Sequence, residues 1–388
     1  MIQRKLAGEL QELVQQVPVL TITGPRQSGK TTMVKKLFPN FTYVNLEDKK
    51  TRELASEDYE GFFAKYPEPL IIDEVQRVPE LLSAIQVRVD EDRERNGRYI
   101  LTGSHQPKLR EGIAQSLAGR TSVITLLPLS LEEMQVSGVA DLSVDHLLLY
   151  GFMPELYRGK NVRKPYIYYR DYLETYIEKD VRQMKEIKDL DKFTRFLIML
   201  AARVGQTINL SSLSGEVGVS STTLAEWLSL LKASNIVFEL TPYFSNLNKR
   251  QTKSPKLYFT EVGLASYLLG LEEESQVARD PLRGQLFENM VVLDAVKCRL
   301  NKNRKTDLFF VRTEKGVEVD LIFQTARKLI PYEIKSSMTP LGSFSKNMTA
   351  FCEAEPTASE GTVIYAGEEY PSFQGTRYIN FKNLYKDF

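Results

Sequence analysis

The sequence predicts an α/β protein, with a parallel sheet near its N-terminus, a helical middle and a second α/β part at its C-terminus. Three observations carry this. From Val19 to Leu126 short β-rich apolar runs alternate with helix-length segments, the pattern of parallel strands linked by crossover helices and covered on both faces. Between Leu127 and Lys188 the strands stop and three- and four-residue periods take over. From Asp280 a long helical pattern is followed by three strand-like runs. The expected boundaries are 1–128, 129–190, 191–275 and 276–388.

Composition narrows the classes. The chain has 388 residues, enough for two or three domains, and its 42% apolar and 26% charged content is that of an ordinary soluble globular protein. Lys+Arg 51 against Asp+Glu 50 leaves a formal charge of +1, so any nucleic-acid surface must be local. His105 and His146 are the only histidines and Cys298 and Cys352 the only cysteines. That count argues against a histidine-based triad, a His-rich metal centre or a disulfide framework. MIQRKLAGELQELVQQ is amphipathic and lacks an apolar signal core, and no apolar run approaches the roughly 18 residues of a membrane span. The expectation is a cytoplasmic protein with no membrane partner.

The first strand, Val19 to Thr23, runs into TGPRQSGKTT, which holds the spacing G-x-x-x-x-G-K-[ST] as Gly24, Gly29, Lys30 and Thr31. Two glycines permit backbone torsions and a close approach that a Cβ would block, so successive N–H groups can turn inward around a phosphate. The helix expected over Thr31 to Phe38 adds the positive end of its dipole. Gly24, Pro25, Arg26, Gln27, Ser28, Gly29, Lys30, Thr31 and Thr32 are therefore the candidate nucleotide cradle, with Lys30 reaching the β- and γ-phosphates and the Thr31 hydroxyl on Mg²⁺.

A strand over Phe41 to Asn45 and one helix through Phe63 come next. Leu70 to Glu74, LIIDE, then reads as a buried parallel strand with two acids at its carboxyl end, where α/β sheets place their sites. Asp73 is the candidate Mg²⁺ acid, through water, and Glu74 the residue that polarises an attacking water. A helix over Pro79 to Arg93 precedes strand Tyr99 to Thr102, whose TGSH end offers Thr102 and Ser104 either as sensors of the γ-phosphate or as caps of a turn. A helix over Leu109 to Leu117 and a strand over Ser122 to Leu126 close this part. Arg120 between them is either a surface arginine or a finger that stabilises the transferring phosphoryl group, in a neighbouring subunit of a homo-oligomer. The absence of N-K-x-D favours ATP over GTP, and the acid pair favours hydrolysis over transfer to an acceptor.

Val144 to Tyr150 and Pro165 to Ile187 have helical periods whose tyrosines and leucines suit packing. Asp191 to Thr260 has the outline of a winged helix-turn-helix: helices over Phe193 to Val204, Asn209 to Val217 and the Ser-capped stretch with Leu224, Trp227, Leu228 and Leu231, then wing strands Ile236 to Phe244 and Lys256 to Thr260. Lys249, Arg250, Lys253 and Lys256 make the wing basic, which suits DNA phosphates. The third helix presents Ser221, Thr222, Thr223 and Glu226 and no arginine to read guanine, so nonspecific DNA contact and protein docking stand equal.

The helix DPLRGQLFENMVVLDAVKCRL precedes strands Asp307 to Arg312, Gly316 to Phe323 and Lys328 to Lys335. Residues two apart on a strand share a face. A hairpin through Gln324 to Arg327 would set Glu318 and Asp320 beside Glu333 and Lys335. Asp320 and Glu333 could then ligate Mg²⁺ with the Ile334 carbonyl, Lys335 could orient the attacking water, and Glu288 on the helix could add a ligand. The plain alternative is a charge-alternating, half-exposed sheet.

The order of these features resembles the prokaryotic AAA-type ATPases that join a P-loop domain to a winged-helix region and a C-terminal domain similar to PD-(D/E)xK nucleases. GPRQSGKTT, LIIDEVQ, ILTGS, LAGR, PELYR, YLETYIEKDVR, GQLFEN, GVEVDLIF and YEIKSS carry the resemblance, which covers nearly the whole chain. It implies an additional-strand ATPase core and a restriction-endonuclease-like C-terminal fold. It further implies ATP and Mg²⁺ as cofactors, Lys30, Thr31, Asp73 and Glu74 in the roles given above, Arg120 as a finger, and Glu288, Asp320, Glu333 and Lys335 as a nuclease-type set. The function expected is ATP hydrolysis coupled to DNA through the winged helix and C-terminal domain; the alternative is a nucleotide-dependent protein-interaction module.

Overall fold

The computed structural model describes residues 2–104, 107–139, 142–159, 163–176, 187, 189–243, 254–313 and 316–388. They form two compact units, one of Met1–Leu129 with the short segments Ala233–Asn235 and Leu300–Arg304, the other of Ser130–Lys232, Ile236–Arg299 and Lys305–Phe388.

The first unit contains α1 (Ala7–Leu13), β1 (Val19–Thr23), α2 (Lys30–Leu37), β2 (Thr42–Asn45), α3 (Lys49–Glu57), α4 (Tyr59–Lys65), β3 (Leu70–Asp73), α5 (Leu81–Glu91), β4 (Tyr99–Thr102), α6 (Pro107–Ser116) and β5 (Thr121–Thr125). Every neighbouring pair in the sheet is parallel, in the order β2-β3-β4-β1-β5. The inner strands β1, β3 and β4 are buried along their length because both of their faces are covered, while the edge strands β2 and β5 are partly exposed. Leu70, Ile72, Tyr99 and Leu101 pack with Phe62, Ile85 and Leu109 on one face. The alternate residues Ile71, Ile100, Leu20 and Ile22 pack with Leu10, Met33 and Val34 on the other. The single helix expected before Phe63 is two, because Asp58 leaves helical torsions at φ −143° and its carboxylate accepts a new cap bond from Gly61 N, 2.8 Å.

The second unit starts with α7 (Leu131–Val136), α8 (Val144–Tyr150), α9 (Pro165–Tyr176), α10 (Leu190–Ala201), α11 (Leu210–Val217) and α12 (Ser221–Ala233), and continues into the antiparallel hairpin β6 (Val237–Leu240) and β7 (Lys256–Phe259). α13 (Val262–Leu268), α14 (Glu274–Val277) and α15 (Arg283–Asn301) lead to β8 (Leu308–Arg312), β9 (Glu318–Gln324), β10 (Leu329–Lys335), α16 (Lys346–Ala354), β11 (Thr362–Tyr365), β12 (Tyr370–Phe373) and β13 (Thr376–Asn380). These last six strands form a mixed sheet in the order β12-β13-β11-β10-β9-β8. Val311, Val319, Ile322 and Leu329 pack with Phe351 of α16.

Most of the chain after residue 129 thus clusters in one compact unit. Two sets of bonds show why. Fully buried Asn289 on α15 brackets β7, accepting from Phe259 N at 2.7 Å and donating to Phe259 O at 2.9 Å. Beyond β6, Tyr243 N donates to Phe310 O at 2.8 Å and Phe310 N to Thr241 O at 3.2 Å, so the connection from β6 toward β7 begins beside β8. Residues 177–186, and Lys249, Arg250 and Lys253 of the basic wing, lie outside the described residues. No helix among the described residues is long and apolar enough to cross a membrane.

Candidate functional site

β1 delivers the phosphate-loop sequence at the carboxyl end of the parallel sheet, between β1 and α2. Gly24 sits at φ +148°, and a Cβ there would overlap the carbonyl oxygen of Leu126. Gly29, at φ +93°, turns the chain into α2. Gln27 adopts the left-handed region without being glycine, at φ 62°. Lys30 is buried with its ammonium folded onto the loop, donating to Gly24 O at 3.1 Å and Pro25 O at 2.8 Å. Thr32 is half-buried on the first turn of α2.

The acids of β3 face this loop. Asp73 accepts from Thr31 Oγ1 at 3.0 Å, from Tyr43 OH at 2.8 Å and from Thr102 Oγ1. Three hydroxyls from α2, β2 and β4 thus converge on one buried carboxylate. Glu74 follows in the left-handed conformation at φ 58° and accepts from Gln76 Nε2. Burial pushes the Glu74 carboxyl above its ordinary range, while the charges of Lys30 and Arg26 pull it partly back. Ser28 Oγ and Ser104 Oγ are buried and have no hydrogen-bond partner among the described residues. The glycine torsions at Gly24 and Gly29, the buried unsatisfied hydroxyls and a Thr–Asp oxygen pair fit a nucleoside triphosphate with its Mg²⁺.

Sequence reasoning missed Arg4 and Tyr43. Arg4 Nη1 donates to Ser28 O and Nη2 to Leu127 O, each at 2.6 Å, tying the loop to the exit of β5. Neither residue belongs to a motif; only the fold brings it to the loop.

Arg120 lies elsewhere. It precedes β5, its carbonyl accepts from Val19 N at the amino end of β1, and its guanidinium makes a bidentate pair with Asp90 at 2.8 and 2.7 Å. A strand rises about 3.3 Å per residue, which puts Arg120 roughly 15 Å from the loop after Thr23. It therefore cannot act on the phosphates of its own chain.

The acids and lysines of the second unit do meet. β9 and β10 pair as far as Leu321↔Tyr332. Next to that pair the Asp320 carboxylate accepts from Ile334 N at 2.9 Å. Lys335 Nζ lies 2.6 Å from Glu333 Oε1 and 3.6 Å from Asp320 Oδ2. Burial chiefly, and Asp320 next, push Glu333 up to about 7. Glu333 Oε2 is buried and accepts no hydrogen bond among the described residues. Glu288 is also raised, by burial foremost, yet it is engaged otherwise: its Oε1 accepts from Tyr258 OH at 2.6 Å and from Lys256 Nζ at 3.0 Å.

Lys256 corrects the reading of a basic wing. It is 2% exposed and also reaches Glu318 Oε1 at 2.8 Å, so it is a buried ion-pair partner and not a solvent-facing phosphate contact. Among the described residues no group of three or more His, Cys, Asp or Glu side chains is arranged to hold a metal ion. The orphan oxygen of Glu333 fits a cation beside Asp320, whereas Oε1 of Glu288 is already engaged by two donors.

Comparison with known proteins matches three segments of the chain. Residues 16–135 match the family described as AAA domain. Residues 142–275 and 283–384 match two families described as domains of unknown function, DUF8612 and DUF4143. Uncharacterized protein Rv2008c of Mycobacterium tuberculosis is 30% identical over 373 residues, 94% of this chain and 80% of that protein, and uncharacterized protein Mb2031c of Mycobacterium bovis gives the same figures. The chain belongs to their family. Its N-terminal part is a P-loop AAA-type ATPase domain. Among solved structures, the Walker-type ATPase paby2304 of Pyrococcus abyssi is similar at 15% identity and a TM-score of 0.47, covering 69% of this chain and 96% of that one. The match of the last segment to a domain of unknown function assigns it no reaction.

Proposed function

We propose that this P-loop protein binds ATP with Mg²⁺, hydrolyses it, and couples the cycle to DNA held by its second unit. The observation that carries the ATPase half is the convergence of Thr31 and Asp73, beside Glu74 and Lys30, at the carboxyl end of β1 and β3. Lys30 leaves the loop carbonyls for the phosphates, Thr31 and, through water, Asp73 would hold Mg²⁺, and Glu74 accepts the proton of the attacking water. Mg²⁺ would supply charge neutralisation on the phosphates. Ser104, whose hydroxyl has no partner among the described residues, reads the γ-phosphate, and Thr102 orients Asp73. Arg120 serves as a finger only in a second copy, after exchanging Asp90 for phosphate.

In the second unit, Asp320 and Glu333 would hold Mg²⁺ and Lys335 would orient water against a DNA phosphodiester, with the 191–275 region as a winged helix. One observation favours a second reading, a nucleotide-dependent protein-docking module without nuclease activity: both carboxylates named there already face the ammonium of Lys335.

Steady-state ATP hydrolysis by wild type and Lys30→Ala, with and without duplex and branched DNA, tests the proposal. Hydrolysis that rises with DNA and is lost in the variant supports it. Hydrolysis that ignores DNA moves the weight to a protein partner, and hydrolysis that survives Lys30→Ala ends the ATPase assignment to this loop.

A further inference from the structure

We infer that Lys256 is a resident cation of the acidic site in the C-terminal sheet, holding Glu288 out of the metal-binding set so that a divalent ion meets Asp320 and Glu333 alone. The inference rests on the reading of those two carboxylates as metal ligands.

Lys256 comes from β7, outside the β9–β10 hairpin and outside α15, yet its ammonium is buried among their carboxylates. Nζ lies 3.0 Å from Glu288 Oε1 and 2.8 Å from Glu318 Oε1, with the ring of Phe310 5.4 Å away. Its position is not left to a flexible stem. The neighbouring residue of α15, Asn289, clasps the backbone of Phe259 in the same strand, which sets β7 against the helix that carries Glu288. Tyr258 OH completes the arrangement at 2.6 Å from the same Glu288 oxygen.

The two sides of the site therefore differ in kind. Glu288 Oε1 accepts from two fixed donors, whereas Glu333, 5% exposed, keeps a buried oxygen without a partner among the described residues. A buried charge is retained only when it is paired or coordinated. Each glutamate has one oxygen paired internally, Glu288 Oε1 by Lys256 and Glu333 Oε1 by Lys335 at 2.6 Å; Glu333 alone keeps a buried second oxygen that no donor fills among the described residues, and a bound cation would fill it. A divalent ion drawn toward Glu288 would have to approach an ammonium that already occupies that carboxylate, and the repulsion between two cations in a low-dielectric pocket weakens its binding.

The test uses the nucleotide-free full chain and Mn²⁺ as the probe, and counts the binding that Asp320→Asn removes. Lys256→Gln is expected to bind Mn²⁺ at least tenfold more tightly than wild type, because Glu288 joins the ligands. Adding Glu288→Gln to Lys256→Gln returns the affinity to the wild-type value, and Glu288→Gln alone leaves it within twofold. Equal affinity of wild type and Lys256→Gln overturns the role given to Lys256 while leaving Asp320 and Glu333 as ligands. Absence of Asp320-dependent binding in both overturns the metal reading as well. If thermal melts show that Lys256→Gln does not fold, Glu288→Gln alone decides: a fivefold or greater loss of affinity makes Glu288 a ligand in the wild-type chain and sinks the inference.

Discussion

Thr31 Oγ1 lies 3.0 Å from Asp73 Oδ2, so the first-turn hydroxyl of α2 and the acid that ends β3 are already in contact. The two groups come from different crossover units of one parallel sheet. Their pairing is the natural consequence of placing β3 and β1 on either side of β4 with all carboxyl ends together.

Asp73→Asn keeps the shape of this cluster and removes its charge. Mg²⁺-dependent hydrolysis is expected to fall by about 100-fold or more, while ATP affinity in the absence of Mg²⁺ stays within a few-fold. Equilibrium binding with and without chelator, beside steady-state hydrolysis, separates the two effects.

Glu74→Gln leaves the metal cluster intact and removes the proton acceptor. Loss of a positioned base costs on the order of 10²- to 10⁴-fold in the chemical step. The variant should therefore bind ATP as wild type does and fail to turn it over, which a single-turnover assay with labelled ATP measures directly. A variant that still hydrolyses at more than a tenth of the wild-type rate would show that another group activates the water.

Arg120→Ala separates a partner's finger from a structural arginine. Because Arg120 is at the amino end of the sheet and paired with Asp90, no effect on hydrolysis is expected in a chain acting alone. A rate that rises with protein concentration in wild type, and loses that rise in Arg120→Ala, would assign the arginine to a neighbour's site.

Glu333 sets a pH dependence of stability. Its carboxyl is pushed up to about 7 from 4.5, so the folded chain holds that proton more tightly than the unfolded chain does. The stabilisation from this group is then fully present below 4.5 and is lost as pH rises through about 7. Glu333→Gln should gain stability relative to wild type between pH 5 and pH 8, by up to roughly 3 kcal/mol. Urea unfolding of both proteins at the two pH values measures the difference; an unchanged difference would remove burial of Glu333 as its cause.

The first unit was legible because each of its parts is a local pattern. Gly24 and Gly29 mark torsions that only glycine adopts easily, and LIIDE marks a strand buried on both faces with its site at the carboxyl end. Other local signals were there to be used. Ser130 and Glu133 form a capping box, with Glu133 N donating to Ser130 Oγ at 3.2 Å and Ser130 N to Glu133 Oε2 at 2.9 Å, and S-x-x-E announces α7. The aspartate that divides α3 from α4 was equally visible.

Lys256 is the opposite case. In sequence it continues a run with Lys249, Arg250 and Lys253 and looks like one more solvated wing cation. In the fold it is the first residue of β7, and Asn289, thirty-three positions on, anchors that strand beside Glu288. No local period encodes such a meeting, since the cost of burying the ammonium is offset only by carboxylates from α15 and β9.

By itself the sequence determined the phosphate loop, the acids of β3, the two-sided burial of the first sheet and the side-by-side placement of Asp320, Glu333 and Lys335, because torsion, burial and strand alternation act over a few neighbouring residues. Only the tertiary structure decided that Tyr43 and Thr102 share Asp73, that Arg120 faces away from its own phosphate loop, and that Glu288 is held by Lys256 and Tyr258. Those outcomes depend on strand order and on which helix packs on which strand, and long-range contacts of that kind leave no mark on the residues beside them in the chain.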